Sequence, residues 1–303
     1  HIPFLLPKCI TAMFIGIDHG TTAMRFAWED RVYKIPRAEA VSFQLSDLTN
    51  LTGGEEIEGF AITYSMGDNF SEIVPAITLE NRGLVSREGA GEHTGGGTRV
   101  FDVIRDSGIP VIAIPGLHRG SDTDPRFKVY SHQASPEKIG LAYEVVFRLG
   151  PTCIISDISS NTVTLLVKDN RIVGGFDACV FAPGWIHGAL DLDAIRAIDA
   201  GQVSANEAFL HAGVKDTLPE PYRNSALAMF AAMECASLRL LAPDAPVALC
   251  GSRAMSVSEE IARLLSTKLL VSDEWTAARG LSRIAKDVFS KKVSHILGIR
   301  VRL

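Results

Sequence analysis

The sequence predicts an α/β protein made of two similarly built halves, and three observations carry that prediction. Apolar runs of strand length alternate with amphipathic stretches along the chain. A pattern of strand, aspartate, hydroxyl-rich turn, strand, turn and strand opens at Met13 and returns at Thr152. Its two aspartates, Asp18 and Asp157, stand one domain's length apart, which reads as an internal structural duplication. The length of 303 residues also suits about two domains.

The elements follow in order. MFIGID, AMRFAW and RVYKI are three short strands between residues 13 and 35, joined by hairpin-scale turns. Arg37 to Leu48 suits a short helix, and the turn cluster Asn50 to Gly54 leads into the strand GFAITYSM. Residues 67 to 99 are polar and rich in glycine, and the helix VFDVIRDSG follows, closing on Gly108. PVIAIPG is a buried-type strand, after which the polar loop LHRGSDTDPRFKVYSHQAS leads to a helix over about 136–149. Ser135 is expected as its N-cap and Pro136 as its first residue. TCIISD, VTLLVK and RIVGGFD repeat the three-strand opening, with Asp169-Asn170 as the second turn. Helices are expected at LDLDAIRAID, Ser204 to Ala212 and Tyr222 to Leu241. The strand PVALCG, the helix VSEEIARLLS, the strand KLLVSD and a last helix over about Glu274 to Ser290 complete the chain. The natural fold is expected to start near Met13, with residues 1–12 an extension left outside it.

Composition excludes some function classes. The formal net charge of −5 argues against nonspecific nucleic-acid binding, which needs a basic face. No apolar run approaches the ~18 residues needed to span a membrane, and the opening HIPFLLPKCITA lacks the basic start of a signal peptide. The five cysteines, at 9, 153, 179, 235 and 250, show no C-x-x-C spacing, so zinc and iron–sulfur sites lack support. Their odd number and irregular spacing suit a reducing, cytoplasmic compartment. Cys153 and Cys250 fall in apolar runs and read as small buried hydrophobes.

The chemistry concentrates at FIGIDHGTTAMRFAW, residues 14 to 28. A carboxylate at a strand end, beside a turn offering amides and hydroxyls, suits magnesium and phosphate. Asp18 would hold the metal directly or through water. Gly20 lets the backbone approach closely or take positive φ. Thr21 and Thr22 offer hydroxyls and amides to phosphate oxygens. An ordinary β-hairpin is the alternative.

GIDHGTT, SDISSNTVT and ALCGSRA, taken in this order, resemble the first phosphate, second phosphate and adenosine motifs of the superfamily of acetate and sugar kinases, heat-shock chaperones and actin. The resemblance implies two lobes of duplicated actin-like, ribonuclease-H-like ATPase fold with nucleotide in the cleft between them. On that reading residues 13–150 form the first lobe and 151–275 the second. Residues 276–303 pack back on the first lobe, and the helices at 136–149 and 274–290 connect the two. ATP and Mg2+ are the implied cofactors, with Asp18 and Asp157 flanking the metal as catalytic groups. Gly20, Thr21, Thr22, Ser159, Ser160 and Thr162 are the implied phosphate ligands, and Gly251, Ser252 and Ala254 the adenosine ligands. Two positions depart from the pattern. Ser159 stands where the second hairpin usually has glycine, and Cys250 replaces one of two adjacent glycines in the adenosine turn. The stretches ENRGLVSREGAGEHTGGGTRVFD, GLHRGSDTDPRFKVYSHQASPEKIGLAY and FAPGWIHGALDLDAIRAIDAG resemble the methanogenesis marker family numbered twelve, which occurs in methane-producing archaea and has no assigned role.

Candidate substrate groups lie elsewhere. His118, Arg119, Asp122, Arg126 and His132 crowd the loop after PVIAIPG, where α/β proteins place ligand groups. The arginines suit an anion and the histidines a base, and a charged solvated loop is the alternative. Asp68 is a candidate base or a turn acid, and His187 a ligand or a helix-start residue. The Gly89–Gly97 loop suits an anion or a surface loop. The expected activity is Mg-ATP-dependent phosphoryl transfer to a small molecule, such as a carboxylate. A nucleotide-switched accessory factor and a degenerate, nucleotide-free interaction protein are the alternatives. The expected partners are a nucleotide and a small molecule, without nucleic acid or membrane, and a homodimer is left open.

Overall fold

The computed structural model describes residues 12–86 and 94–303. The extension expected before Met13, apart from Ala12, lies outside the described residues, as does most of the Gly89–Gly97 loop.

β1 (Met13–His19), β2 (Ala23–Trp28) and β3 (Arg31–Pro36) form an antiparallel meander. The helix expected over 37–48 is broken: a 3-10 turn covers Glu39–Ser42, and α1 spans Leu45–Leu51. Phe43 causes the break, since it leaves helical backbone to stack on Phe26 with ring centroids 5.6 Å apart. The Asp47 carboxylate then accepts the Gln44 amide and restarts the helix. β4 (Ile57–Ile62) lies parallel to β1. β5 (Val74–Pro75) is a two-residue edge strand. α2 (Gly96–Arg105) starts inside the glycine tract, earlier than expected, because a side chain at Gly96 would strike the Arg37 carbonyl and one at Gly97 the His19 ring. β6 (Val111–Ala113) completes a six-stranded sheet of order β3-β2-β1-β4-β6-β5.

The polar loop after β6 holds more structure than expected. β7 (Leu117–His118) and β8 (His132–Ala134) pair as a hairpin around a 3-10 turn at Pro125–Val129. α3 (Glu137–Leu149) follows. Ser135 accepts the Lys138 amide through its backbone carbonyl, and its hydroxyl caps nothing.

The second lobe repeats the first. β9 (Cys153–Ile158), β10 (Thr162–Lys168) and β11 (Arg171–Phe176) form its meander, turning at Asp169 and Asn170 with φ of 53° and 59°. That pair of left-handed residues suits a tight hairpin. α4 (Leu192–Asp199), α5 (Ala205–Leu210), α6 (Val214–Thr217) and α7 (Glu220–Arg239) follow. β12 (Val247–Cys250), α8 (Ala254–Leu265) and β13 (Leu269–Val271) close a sheet of order β11-β10-β9-β12-β13, with β9, β12 and β13 parallel. That order matches β3-β2-β1-β4-β6 position for position, so the fold is a duplicated, two-lobed actin-like α/β architecture.

α9 (Thr276–Lys291) lies across β1, where Ser282 donates to the Phe14 carbonyl at 2.7 Å. It also crosses α3 at two glycines, and a Cβ on Gly280 would collide with the Gly140 carbonyl. β14 (His295–Ile296) and β15 (Ile299–Arg300) end the chain. Successive residues of a strand point to opposite faces. Met13, Ile15 and Ile17 therefore fill a core within the first lobe, while Phe14 joins a second core with Ile139, Val163, Leu281 and Ile284. That second core runs beneath both lobes. A third, around Leu227, Val257 and Ile261, belongs to the second lobe.

Candidate functional site

β1 and β9 are equivalent strands, and each carries its aspartate near its carboxyl end. Asp18 and Asp157 border one narrow cavity of about 80 Å³ between the lobes, together with Gly20, Thr21, Thr22, Ser159, Ser160, Gly251 and Ser252. The three turns thus meet in space, although they are far apart in the chain.

Asp18 pairs across the strands with Arg25, whose Nη1 lies 3.6 Å from Oδ2. Its Oδ1 is buried and has no hydrogen-bond partner among the described residues. Burial pushes this carboxyl up to about 7, against the opposing charges of Arg25 and Lys138. Arg25 donates to Glu274 at 2.9 Å, and Lys34 joins the same carboxylate. Gly20 keeps negative φ. Its lack of a side chain makes room for the Arg25 guanidinium, so close approach and not a left-handed turn is the reason for glycine.

Asp157 is fully engaged. Lys138 Nζ donates to its Oδ2 at 2.7 Å, and the Ser159 hydroxyl donates to its Oδ1 at 2.9 Å. Lys138 also donates to Glu137 at 2.8 Å. Burial disfavours the ammonium, but Asp157 and Glu137 outweigh it and raise the lysine pKa. Ser159 is wedged against the Gly251 turn, where its Oγ accepts the Ser252 amide at 3.2 Å. Gly251, at φ 96°, is required there, because a Cβ would overlap Asp157 and Ser159. Cys250 is buried at the end of β12, directly opposite Asp157 in the parallel ladder.

A wider cavity of about 420 Å³ adjoins the narrow one, and Thr21, Glu137 and Asn161 border both. Its first-lobe wall includes His19, Arg37, Tyr64 and Thr98, and its second-lobe wall Asp177, His187 and Phe209. The His187 ring stacks on Phe209 at 4.7 Å. Its backbone amide donates to the Ser160 carbonyl at 2.9 Å, which ties the ring to the second hairpin. His187 is 1 % exposed, and neither ring nitrogen has a partner among the described residues. Burial pulls its pKa down to about 4 against the charge of Asp177, and burial with Arg37 pulls His19 down to about 3.

Other expected site residues fall outside both cavities. Thr162 is buried and donates to the Pro183 carbonyl at 2.8 Å, and Ala254 is buried in the first turn of α8. Asp68 accepts the Val85 amide at 3.1 Å, as a turn acid does. His118 is occupied by the Phe70 carbonyl, Ser71 and Gly120. Arg119 donates to the Lys128 carbonyl, Arg126 pairs with Asp124, and Asp122 pairs with Arg171. His132 is buried at the base of the β7–β8 hairpin, away from both cavities. The loop folds on itself and on β11, so its charges meet each other and not the cleft. Lys138, Arg25, Glu137, Arg37 and Asp177 carry no local signature and were not expected. The one cue was Glu137-Lys138 at the start of the connecting helix.

Among the described residues, no group of three or more His, Cys, Asp or Glu side chains could hold a metal ion, and no helix is long and apolar enough to cross a membrane.

No protein-family model matches the chain. Over 95% of its length it is 44% identical to a UPF0285 protein of Methanosarcina mazei and 46% identical to one of Methanosarcina barkeri, covering 98% of each. A UPF0285 protein of Methanocaldococcus jannaschii is 40% identical over the same share. Among solved structures, the acetate kinase of Porphyromonas gingivalis superposes with a TM-score of 0.53 over 90% of this chain and 99% of that one, at 10% identity. That likeness is one of fold.

Proposed function

The chain belongs to the UPF0285 family of methanogenic archaea, and from that premise we propose that it is an Mg-ATP-dependent phosphotransferase acting on a small molecule. One observation carries the reading: Asp18 and Asp157, equivalent residues of the two lobes, border a single cavity with both hydroxyl-rich turns and the Gly251 turn.

The residues fit the nucleotide and its metal. The buried, unpartnered Oδ1 of Asp18 suits a cation, held directly or through water. Thr21, Thr22 and Ser160 suit phosphate oxygens, and Gly251 and Ser252 the ribose. Bound Mg2+ would offset charge on the phosphates. Lys138 supplies a fixed positive charge beside the same space, which is what phosphoryl transfer asks of a protein. The narrow cavity holds only a few waters, so nucleotide entry requires the lobes to part. The wider cavity falls in the ~300–1,000 Å³ range of small-molecule sites and suits the acceptor. The four cysteines among the described residues are free, which suits the cytoplasm.

Thermal unfolding with and without Mg-ATP tests nucleotide binding. Saturation at 100 times the dissociation constant adds about 2.7 kcal/mol. Asp18→Asn should lose that protection. No shift of the wild type with any nucleotide would sink the proposal.

The engagement of Asp157 by Lys138 and Ser159 favours a second reading, a nucleotide-switched accessory factor that closes its lobes with little turnover. ADP release separates the two. Equal release by wild type and Asp18→Ala would discard the phosphotransferase and leave the switch.

A further inference from the structure

We propose that two copies of this chain pair through the outer face of α7, their α7 helices running antiparallel about a two-fold axis at the level of Ala231.

α7 is apolar on both sides. Leu227, Ala228, Ala231, Cys235 and Leu238 turn inward to the core of the second lobe. On the outer side Tyr222, Met229, Met233 and Leu240 are from 43% to 83% exposed, with half-buried Ala226 and exposed Ala236 among them. A helix that is apolar all round is ordinarily buried all round. These outer residues follow one another at alternating steps of four and three, which is the spacing of a helix-pairing row. Scattered exposed apolar residues, which any protein surface carries, have no such order. Phe230 widens the row, packed edge to face against the exposed Phe181 with ring centroids 5.5 Å apart.

The order of side chains along the row points to a second copy as the occupant. A two-fold interface must be complementary to itself, so that when one residue meets another the reverse contact also forms. Tyr222 and Leu240, Ala226 and Ala236, and Met229 and Met233 are pairs equidistant from Ala231. In an antiparallel pair centred there, Met229 packs on the partner's Met233. Ala226 meets the partner's Ala236, small against small, which lets the helices approach closely. Tyr222 covers the partner's Leu240 at each end. A partner of unrelated sequence would not call for this palindrome.

Charge agrees with the same arrangement. No charged residue interrupts the row. Arg223 and Arg239 flank it and turn toward their own lobe, donating to the Leu218 carbonyl at 2.9 Å and the Leu265 carbonyl at 3.4 Å. The antiparallel pair sets Glu220, in the first turn of α7, within about one turn of the partner's Arg239 in the last, with opposite helix dipole ends side by side. The 20 residues of α7 give a contact roughly 30 Å long and one helix wide. That size is at the low end of specific interfaces, and a dissociation constant on the order of 10 μM follows. None of the row's residues borders either cavity of the cleft, so pairing leaves both open.

Sedimentation velocity on the full chain tests the assignment. The 32.7 kDa wild type should pass from monomer to dimer between about 1 and about 200 μM. Met229→Glu combined with Met233→Glu should weaken pairing by about tenfold or more, because like charges then face each other across the axis. Met229→Glu combined with Met233→Lys should restore it, since each glutamate then faces the partner's lysine. Circular-dichroism melts at about 1 μM, where the wild type is monomeric, check that each variant folds. A wild type still monomeric at about 200 μM overturns the assignment and leaves the row to a protein of other sequence. A dimer indifferent to the two glutamates places the contact elsewhere and overturns it as well. A folded glutamate–lysine variant that stays monomeric overturns the antiparallel register.

Discussion

Lys138 Nζ lies 2.7 Å from Asp157 Oδ2, and both side chains are buried in the floor of the cleft. The lysine comes from the helix that joins the lobes and the aspartate from the first strand of the second lobe. The pair therefore couples the connector to the β9–β10 hairpin.

Lys138→Met should destabilise the protein by about 3–5 kcal/mol, because it leaves a buried carboxylate without its counter-ion. Lys138→Met combined with Asp157→Leu should recover most of that loss. Urea unfolding of the three proteins checks both statements. A loss below about 1 kcal/mol in the single variant would show that water already reaches the pair.

Two buried carboxyls should make the protein less stable at alkaline pH. Asp18 is held up at about 7 and Glu234 at about 8, both chiefly by burial. The folded state keeps protons that the unfolded chain gives up near the ordinary values of 3.8 and 4.5. The stabilisation is therefore complete below those values and is lost as pH rises through 7 and 8. Asp18→Asn and Glu234→Gln should each flatten the slope over that window. Equal slopes in wild type and double variant would refute the account.

Ser159→Gly should raise affinity for Mg-ATP. The serine hydroxyl occupies Asp157 Oδ1 and fills the space beside the Gly251 turn. Removing one hydrogen bond to a charged carboxylate, worth about 1.5–3 kcal/mol, frees the carboxylate and the backbone, for a gain of about tenfold or more. Fluorescence titration measures it, and a weaker-binding variant would show that the hydroxyl serves the nucleotide.

Gly280→Ala should cost about 1–3 kcal/mol without altering the cleft, since the added methyl meets the Gly140 carbonyl where α3 and α9 cross. Chemical denaturation checks the magnitude. A stabilised variant would mean that the helices separate easily.

Much of the fold was legible because its signals are local. The two meanders announce themselves through apolar runs that end in an acid and a hydroxyl-rich turn, and the structure returns β1–β3 and β9–β11 where those runs lie. The expectation of an actin-like fold and of a methanogen family is met by the duplicated sheet order and by the UPF0285 relatives. What was missed depends on contacts across the chain. Nothing in the neighbourhood of Phe43 says that it will leave its helix for Phe26. Nothing near Lys138 says that Asp157 will lie against it. The His118–His132 loop looked like a ligand site because charge density is visible in sequence, whereas the partners that satisfy those charges are not.

The apolar core beneath both lobes has a calorimetric consequence. Phe14 and Ile112 of the first sheet share it with Val163 and Ala248 of the second. Neither sheet can expose its inner face without stripping the other, so heating should release both in one cooperative transition. The gap between the lobes thus lies above a seam that should not come apart until the whole chain melts.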